Sequence, residues 1–145
     1  MKLKQLSLFL ENLPGRLSKP CRVLAEAGVN IVTMSLADTQ QFGILRLIVG
    51  DWEKAKSVLE KAGCVVNVVE VVALEVDDKP GGLAKILEII DGIGANIEYM
   101  YAFTFRRTDK AMLVFRFEDP DKAIAQFQSK GVNVVAGVDL YGQAK

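Results

Sequence analysis

Asn12-Leu13-Pro14-Gly15-Arg16-Leu17 and Asp78-Lys79-Pro80-Gly81-Gly82-Leu83 are one loop written twice, sixty-six residues apart. Working outward, the same offset pairs Gly28 with Gly94, Asn30 with Asn96, Ile31 with Ile97 and Met34 with Met100. Further on the offset becomes sixty-eight, pairing Asp51 with Asp119, Ala55 with Ala123 and Gly63 with Gly131. A two-residue insertion in or near the second copy's hairpin accounts for the change. Isolated matches arise by chance, but an ordered series of Gly, Pro and Asn at a nearly fixed offset marks a duplication. The chain therefore reads as two modules, 1–69 and 70–145.

Each copy has the same rhythm. Leu6–Leu10 and Val71–Val76 are short β-rich runs that end in polar turn residues. After Pro80-Gly81, the spacing Leu83, Ile86, Leu87, Ile90 is that of an amphipathic helix, with Gly92 or Gly94 as its stop. Strands are predicted over Ile31–Asp38 and Ile97–Arg106, then over Ile44–Val49 and Met112–Phe117, with polar turns between. Asp51 and Asp119 precede second helices as N-caps, and Pro120 takes a tolerated first helical position. Gly63 and Gly131 end those helices, and Cys64–Val69 and Val132–Leu140 are the expected closing strands. The order β-α-β-β-α-β, twice, is an α+β chain of two ferredoxin-like units, each an antiparallel four-stranded sheet with both helices on one face. The first closing strand runs through Glu70 into the next module with almost no linker, so the modules are expected to pack side by side as one body.

Composition excludes several functions. Eighteen basic residues balance eighteen acidic ones, which argues against a broad footprint for nucleic acid or an anionic membrane. There is no histidine, and Cys21 and Cys64 are too far apart to form a metal-ligand cluster. Both read as small core residues in a reducing cytoplasm, and the sequence leaves their pairing open. The apolar run after Met1 is short and broken by Glu11-Asn12, so it is not read as a signal peptide. No cofactor is implied.

The two Pro-Gly loops, together with Gly28-Val29-Asn30-Ile31 and Gly94-Ala95-Asn96-Ile97, resemble the first strand–helix loop and second-strand start of ACT domains. Ala37-Asp38-Thr39-Gln40-Gln41-Phe42-Gly43-Ile44-Leu45-Arg46-Leu47-Ile48-Val49 and Ile97-Glu98-Tyr99-Met100-Tyr101-Ala102-Phe103 are similar to a stand-alone tandem-ACT family of bacteria and archaea. The resemblance covers nearly the whole chain. It implies a non-catalytic regulatory protein that binds small ligands, usually amino acids, where the loop of one module faces the Asn-Ile strand start of its neighbour. It carries over to Asn12, Leu13, Pro14, Gly15, Arg16, Leu17, Asn30 and Ile31, and to Asp78, Lys79, Pro80, Gly81, Gly82, Leu83, Asn96 and Ile97. A regulated metabolic enzyme is the partner it suggests.

The loops have suitable chemistry of their own. A helix N-terminus offers backbone N–H groups and a positive dipole end. Gly15 and Gly81 are expected to let a ligand carboxylate approach. Asn12, Asp77 and Asp78 are acceptors for an ammonium group. The same Asn/Asp-x-Pro-Gly pattern is also ordinary turn chemistry, and one loop alone would favour that reading. The copies differ: Gly82 stands where the first has Arg16, and Ile86 where the first has Pro20. Proline inside a helix costs about 3 kcal/mol. The first helix either distorts or begins late, with Ser18 as cap and Pro20 in its first turn, so the second loop is the preferred site.

Arg46, mid-strand on an apolar face, calls for a carboxylate; a salt bridge is favoured over a ligand. Tyr99, Tyr101, Phe103 and Phe105 alternate on one strand, where the first copy has Thr33, Ser35, Ala37 and Thr39. This is expected to be an open sheet face covered by a second copy in a two-fold dimer, with a ligand pocket as the sharper alternative. Rival functions fare worse. An acylphosphatase-like enzyme would use Arg16 but lacks its glycine-rich cradle. An RRM-like RNA binder would carry its aromatics on the first and third strands among basic residues. An interaction module without ligand remains the plainer alternative.

Overall fold

The computed structural model describes residues 1–103 and 109–137. These form six strands and four helices: β1 Leu3–Glu11, α1 Ser18–Glu26, β2 Ile31–Thr39, β3 Phe42–Val49, α2 Trp52–Lys61, β4 Val66–Asp77, α3 Gly82–Gly92, β5 Ile97–Ala102, β6 Lys110–Phe117 and α4 Pro120–Ser129. The chain divides into two compact units, one of Lys4–Val69 and one that begins at Glu70 and includes Met1–Leu3. β4 is continuous across the boundary, closing the first repeat and opening the second.

In the first unit β3 lies between β2 and β1, antiparallel to both, with Leu47 beside Leu6 and Met34, and Leu45 beside Leu8 and Leu36. In the second, β6 lies between β5 and β4, with Phe115 beside Val72 and Met100. Alternation then decides burial. Leu6, Leu8, Leu24, Leu45, Leu47, Val49, Ala55, Leu59 and Val66 form the first core. Val72, Leu74, Ile90, Phe115, Phe117, Ala123, Phe127 and Val134 belong to the second. Nearly all are repeat partners at the sixty-six or sixty-eight offset. The second core is the more aromatic, with Phe117 5.6 Å from both Phe115 and Phe127 between ring centres.

Helix ends follow local chemistry. Asp51 Oδ1 accepts from the Lys54 amide and Asp119 Oδ1 from the Lys122 amide, both at 3.1 Å. At the end of α3, Gly94 has φ +68°, its amide donates to Asp91 and the Ala95 amide donates to Ile90. This is a Schellman motif, and the other three helices close the same way at Gly28, Gly63 and Gly131.

Three expectations can be set beside these elements. α1 begins late: Ser18 starts it and Pro20 falls in its first turn, where no intrahelical partner is lost. Ser18 is not a side-chain cap, because its hydroxyl donates back to the Gly15 carbonyl at 3.1 Å. β5 is assigned only to Ala102, with the Phe103 amide still bonded to Met112; Phe105, Arg106, Arg107 and Thr108 lie outside the described residues. Of the expected closing strand Val132–Leu140, the described residues 132–137 make one bridge, Val134 to Leu74, flanked by bonds from the Glu75 amide to Asn133 and from the Val135 amide to Ala73. Ala136-Gly137 then offers little side chain to sustain a ladder, and residues 138–140 are outside the described set.

Candidate functional site

The two Pro-Gly loops share a scaffold and differ in filling. In the first, the Asn12 amide donates to the Gln41 carbonyl at 2.9 Å, and the Asn12 side chain donates to the Gln40 carbonyl at 2.9 Å. In the second, the Asp78 amide donates to Asp109 at 3.2 Å, the repeat equivalent of Gln41. Asn12 therefore works as a tie to the hairpin tip.

The glycines of the loops do two different things. Gly15 and Gly81 have φ of +82° and +86°, and a Cβ on either would meet nothing within 4 Å. Both take the left-handed turn conformation that favours glycine, with open space where a side chain would stand. The close approach belongs to Gly82, where a Cβ would lie 1.9 Å from the Asp77 carbonyl oxygen. That contact pins the start of α3 to the end of β4. Arg16 cannot make it, and with Pro20 this accounts for a first helix that starts two residues later in repeat numbering.

Each loop borders a cavity. A small one in the first unit, about 80 Å³, is lined by Leu10, Leu13, Leu17, Leu36 and Gly43, with Glu11, Asn12, Arg16 and Asp38 at its polar side. Arg16 Nη2 lies 3.7 Å from Glu11 Oε2, both side chains being more than half exposed. A larger cavity in the second unit, about 250 Å³, has Asp77, Gly82, Lys85, Lys110, Lys130 and Glu75 on its walls. Asp77 and Lys110 are cross-strand neighbours and form a hydrogen-bonded ion pair. Lys110 holds the Asp77 carboxyl below its usual range, and Asp77 raises the Lys110 ammonium. Lys79 is 3.9 Å from the other Asp77 oxygen. Lys110 and Lys85 were missed in the sequence; the signal was a lysine at the start of β6, where the first repeat has Phe42.

Asn96 does not join its module's loop. It lines a separate cavity of about 240 Å³ with Gly94, Asp119 and Lys122. Eleven residues of α3, about 16 Å at 1.5 Å per residue, separate the two ends. Asn30 and Ile31 stand at the corresponding far end of α1, and Ile97 packs against the second core. The exposed Pro14, Pro80 and Leu83 complete the loops.

Arg46 is half-buried between Ser7 and Ser35 on the sheet face away from the helices. In the second unit Tyr99 and Tyr101 occupy the face of β5 away from that unit's helices, opposite Arg116 and Val114. On this face of the second unit Val71, Ala73 and Val114 are fully buried, Phe103 is 8% exposed, and both tyrosines are half-buried. Among the described residues no cluster could hold a metal ion, and no helix is long and apolar enough to cross a membrane.

Comparison with known proteins adds a family and a fold. The family model described as an ACT domain pair matches residues 1–143. Protein BT0572 from Bacteroides thetaiotaomicron is 40% identical over 97% of this chain and 96% of its own, with a TM-score of 0.90. The regulatory subunit of aspartate kinase from Thermus flavus is 18% identical over 97% of this chain and 91% of its own (TM-score 0.61). That from Thermus thermophilus, in a ligand-free form, is 18% identical over 87% and 91% (TM-score 0.59). No protein of curated function matches the sequence.

Proposed function

The chain belongs to the ACT domain pair family, and on that premise we propose that it is a non-catalytic regulatory protein that binds a free amino acid at its Pro-Gly loops. The observation that carries this reading is that both loops border a cavity holding both signs of charge: Glu11 and Asp38 with Arg16, and Glu75 and Asp77 with Lys85, Lys110 and Lys130. A zwitterion needs an anion site and a cation site at close range. The Thermus proteins are named as regulatory subunits of aspartate kinase, and regulation of a metabolic enzyme in the cytoplasm is part of the same proposal. A two-fold dimer is the proposed assembly. Phe9 and Phe42, 57% and 49% exposed on the face away from the helices, are apolar surface for a second copy to cover.

A thermal-shift screen over the proteinogenic amino acids tests the proposal, because ligand bound to the folded state raises the melting temperature by mass action. At least one amino acid should raise it at millimolar concentration. No shift with any of them, confirmed by calorimetry, would remove the amino-acid reading and leave an interaction module.

A further inference from the structure

We infer that the first module's loop cavity is a socket for the side chain of a branched aliphatic amino acid; this rests on the amino-acid reading and specifies its ligand. The floor is apolar, made by Leu10, Leu13, Leu17 and Leu36 around Gly43. Leu13 and Leu36 remain 54% and 52% exposed, an unfavourable arrangement unless something covers them.

The duplication supplies an internal control. The repeat partners of Leu10, Leu13, Leu36 and Gly43 are Val76, Lys79, Ala102 and Ala111. Val76 is 3% exposed, because α3 begins earlier in its repeat and reaches the end of its strand. An uncovered apolar floor is therefore not required by the fold. It follows from the late start of α1, which Pro20 and Arg16 enforce.

Size and charge select the occupant. The cavity, about 80 Å³, is well below the roughly 150 Å³ that accommodates a benzene ring. That suits the branched end of valine, leucine or isoleucine and is too small for an aromatic ring. Arg16 and Glu11 stand beside it in an exposed pair, 3.7 Å apart. Such a pair is weak, so a ligand can separate it, placing its carboxylate on Arg16 and its ammonium on Glu11.

The test is isothermal titration of the full chain with valine, leucine, isoleucine, alanine, phenylalanine, aspartate and lysine. The branched ligands should bind at least about 10-fold tighter than alanine, at roughly 10-fold per missing methylene-sized group. Gly43→Ala places a methyl on the cavity side, 3.3 Å from Leu36 Cδ1. It should weaken leucine about 10-fold and alanine little, and the fold carries Ala111 at the equivalent place. Leu36→Ala should widen the socket and improve phenylalanine. If aspartate or lysine binds as tightly as leucine, or Gly43→Ala leaves the ranking unchanged, the socket is refuted while amino-acid binding stands. If nothing binds, both readings fall.

Discussion

Gly82→Ala tests the contact that sets the second module's loop. A Cβ at this position would stand 1.9 Å from the Asp77 carbonyl oxygen and 2.9 Å from its carbonyl carbon. Both are backbone atoms at the end of β4, so no side chain can swing aside. Either the strand end or the first turn of α3 must move. Forcing atoms into a packed site costs about 1–3 kcal/mol, and a backbone obstacle this close belongs at the upper end, about 3 kcal/mol. For a chain near this size 1 kcal/mol lowers Tm by roughly 2–4 °C, so Gly82→Ala should melt about 6–12 °C below the parent. Gly81→Ala is the control. It has φ +86° but nothing within 4 Å, so its cost is the left-handed backbone alone, about 1–2 kcal/mol. Arg16→Gly, which puts the second module's residue into the first, should change Tm little, because α1 already starts beyond it. Melting curves by circular dichroism decide the matter. A Gly82→Ala protein within about 2 °C of the parent, or more stable than Gly81→Ala, would refute the idea that the glycine–carbonyl contact fixes where α3 begins.

Three further outcomes are expected. Asp51→Ala and Asp119→Ala each remove a bond to an N-terminal helix amide and should cost about 1 kcal/mol each, read as Tm losses of roughly 2–4 °C; unchanged melting would show that the caps contribute nothing. Lys110→Met removes the partner that lowers the Asp77 pKa; since that carboxyl is depressed below 3.8 and the ammonium raised above 10.5, the Tm deficit should be flat from about pH 5 to 9 and shrink as pH falls below the carboxyl's ordinary value or rises past the lysine's, whereas a deficit that grows in acid would contradict the pairing. Phe103→Ala empties a site buried within one chain and should cost about 3–5 kcal/mol with unchanged sedimentation; loss of a dimer at unchanged Tm would return this face to the subunit interface.

What the sequence made legible was what repeats. Glycines that end helices, aspartates that cap them and the alternating core of each sheet obey local rules, so reading them twice was enough to give the fold. The site was less legible because it depends on where two neighbours happen to meet. Gly82 and Gly81 look interchangeable in a Pro-Gly-Gly run, yet one serves backbone conformation and the other contact, and only the position of the Asp77 carbonyl separates them. Lys110 was hidden because its partner lies on the adjacent strand, thirty-three residues away.

Differences between the modules are informative because the fold tolerates both versions. Glu11 and Asp77 occupy the same strand end, each opposite the first residue of its hairpin partner, which is Phe42 in one case and Lys110 in the other. Asp77 is thereby engaged by a hydrogen-bonded ammonium group of its own chain. Glu11 faces an aromatic ring and has Arg16 at 3.7 Å, beyond hydrogen-bond distance. A ligand ammonium would have to break a hydrogen-bonded ion pair to reach Asp77, but only to loosen an exposed one to reach Glu11. Pro20, which on sequence alone counts against the first loop, also draws the helix back and uncovers the leucines beside that loose pair. On the proposed reading an amphiphilic ligand would therefore engage the disrupted loop, while the regular one holds its own charges.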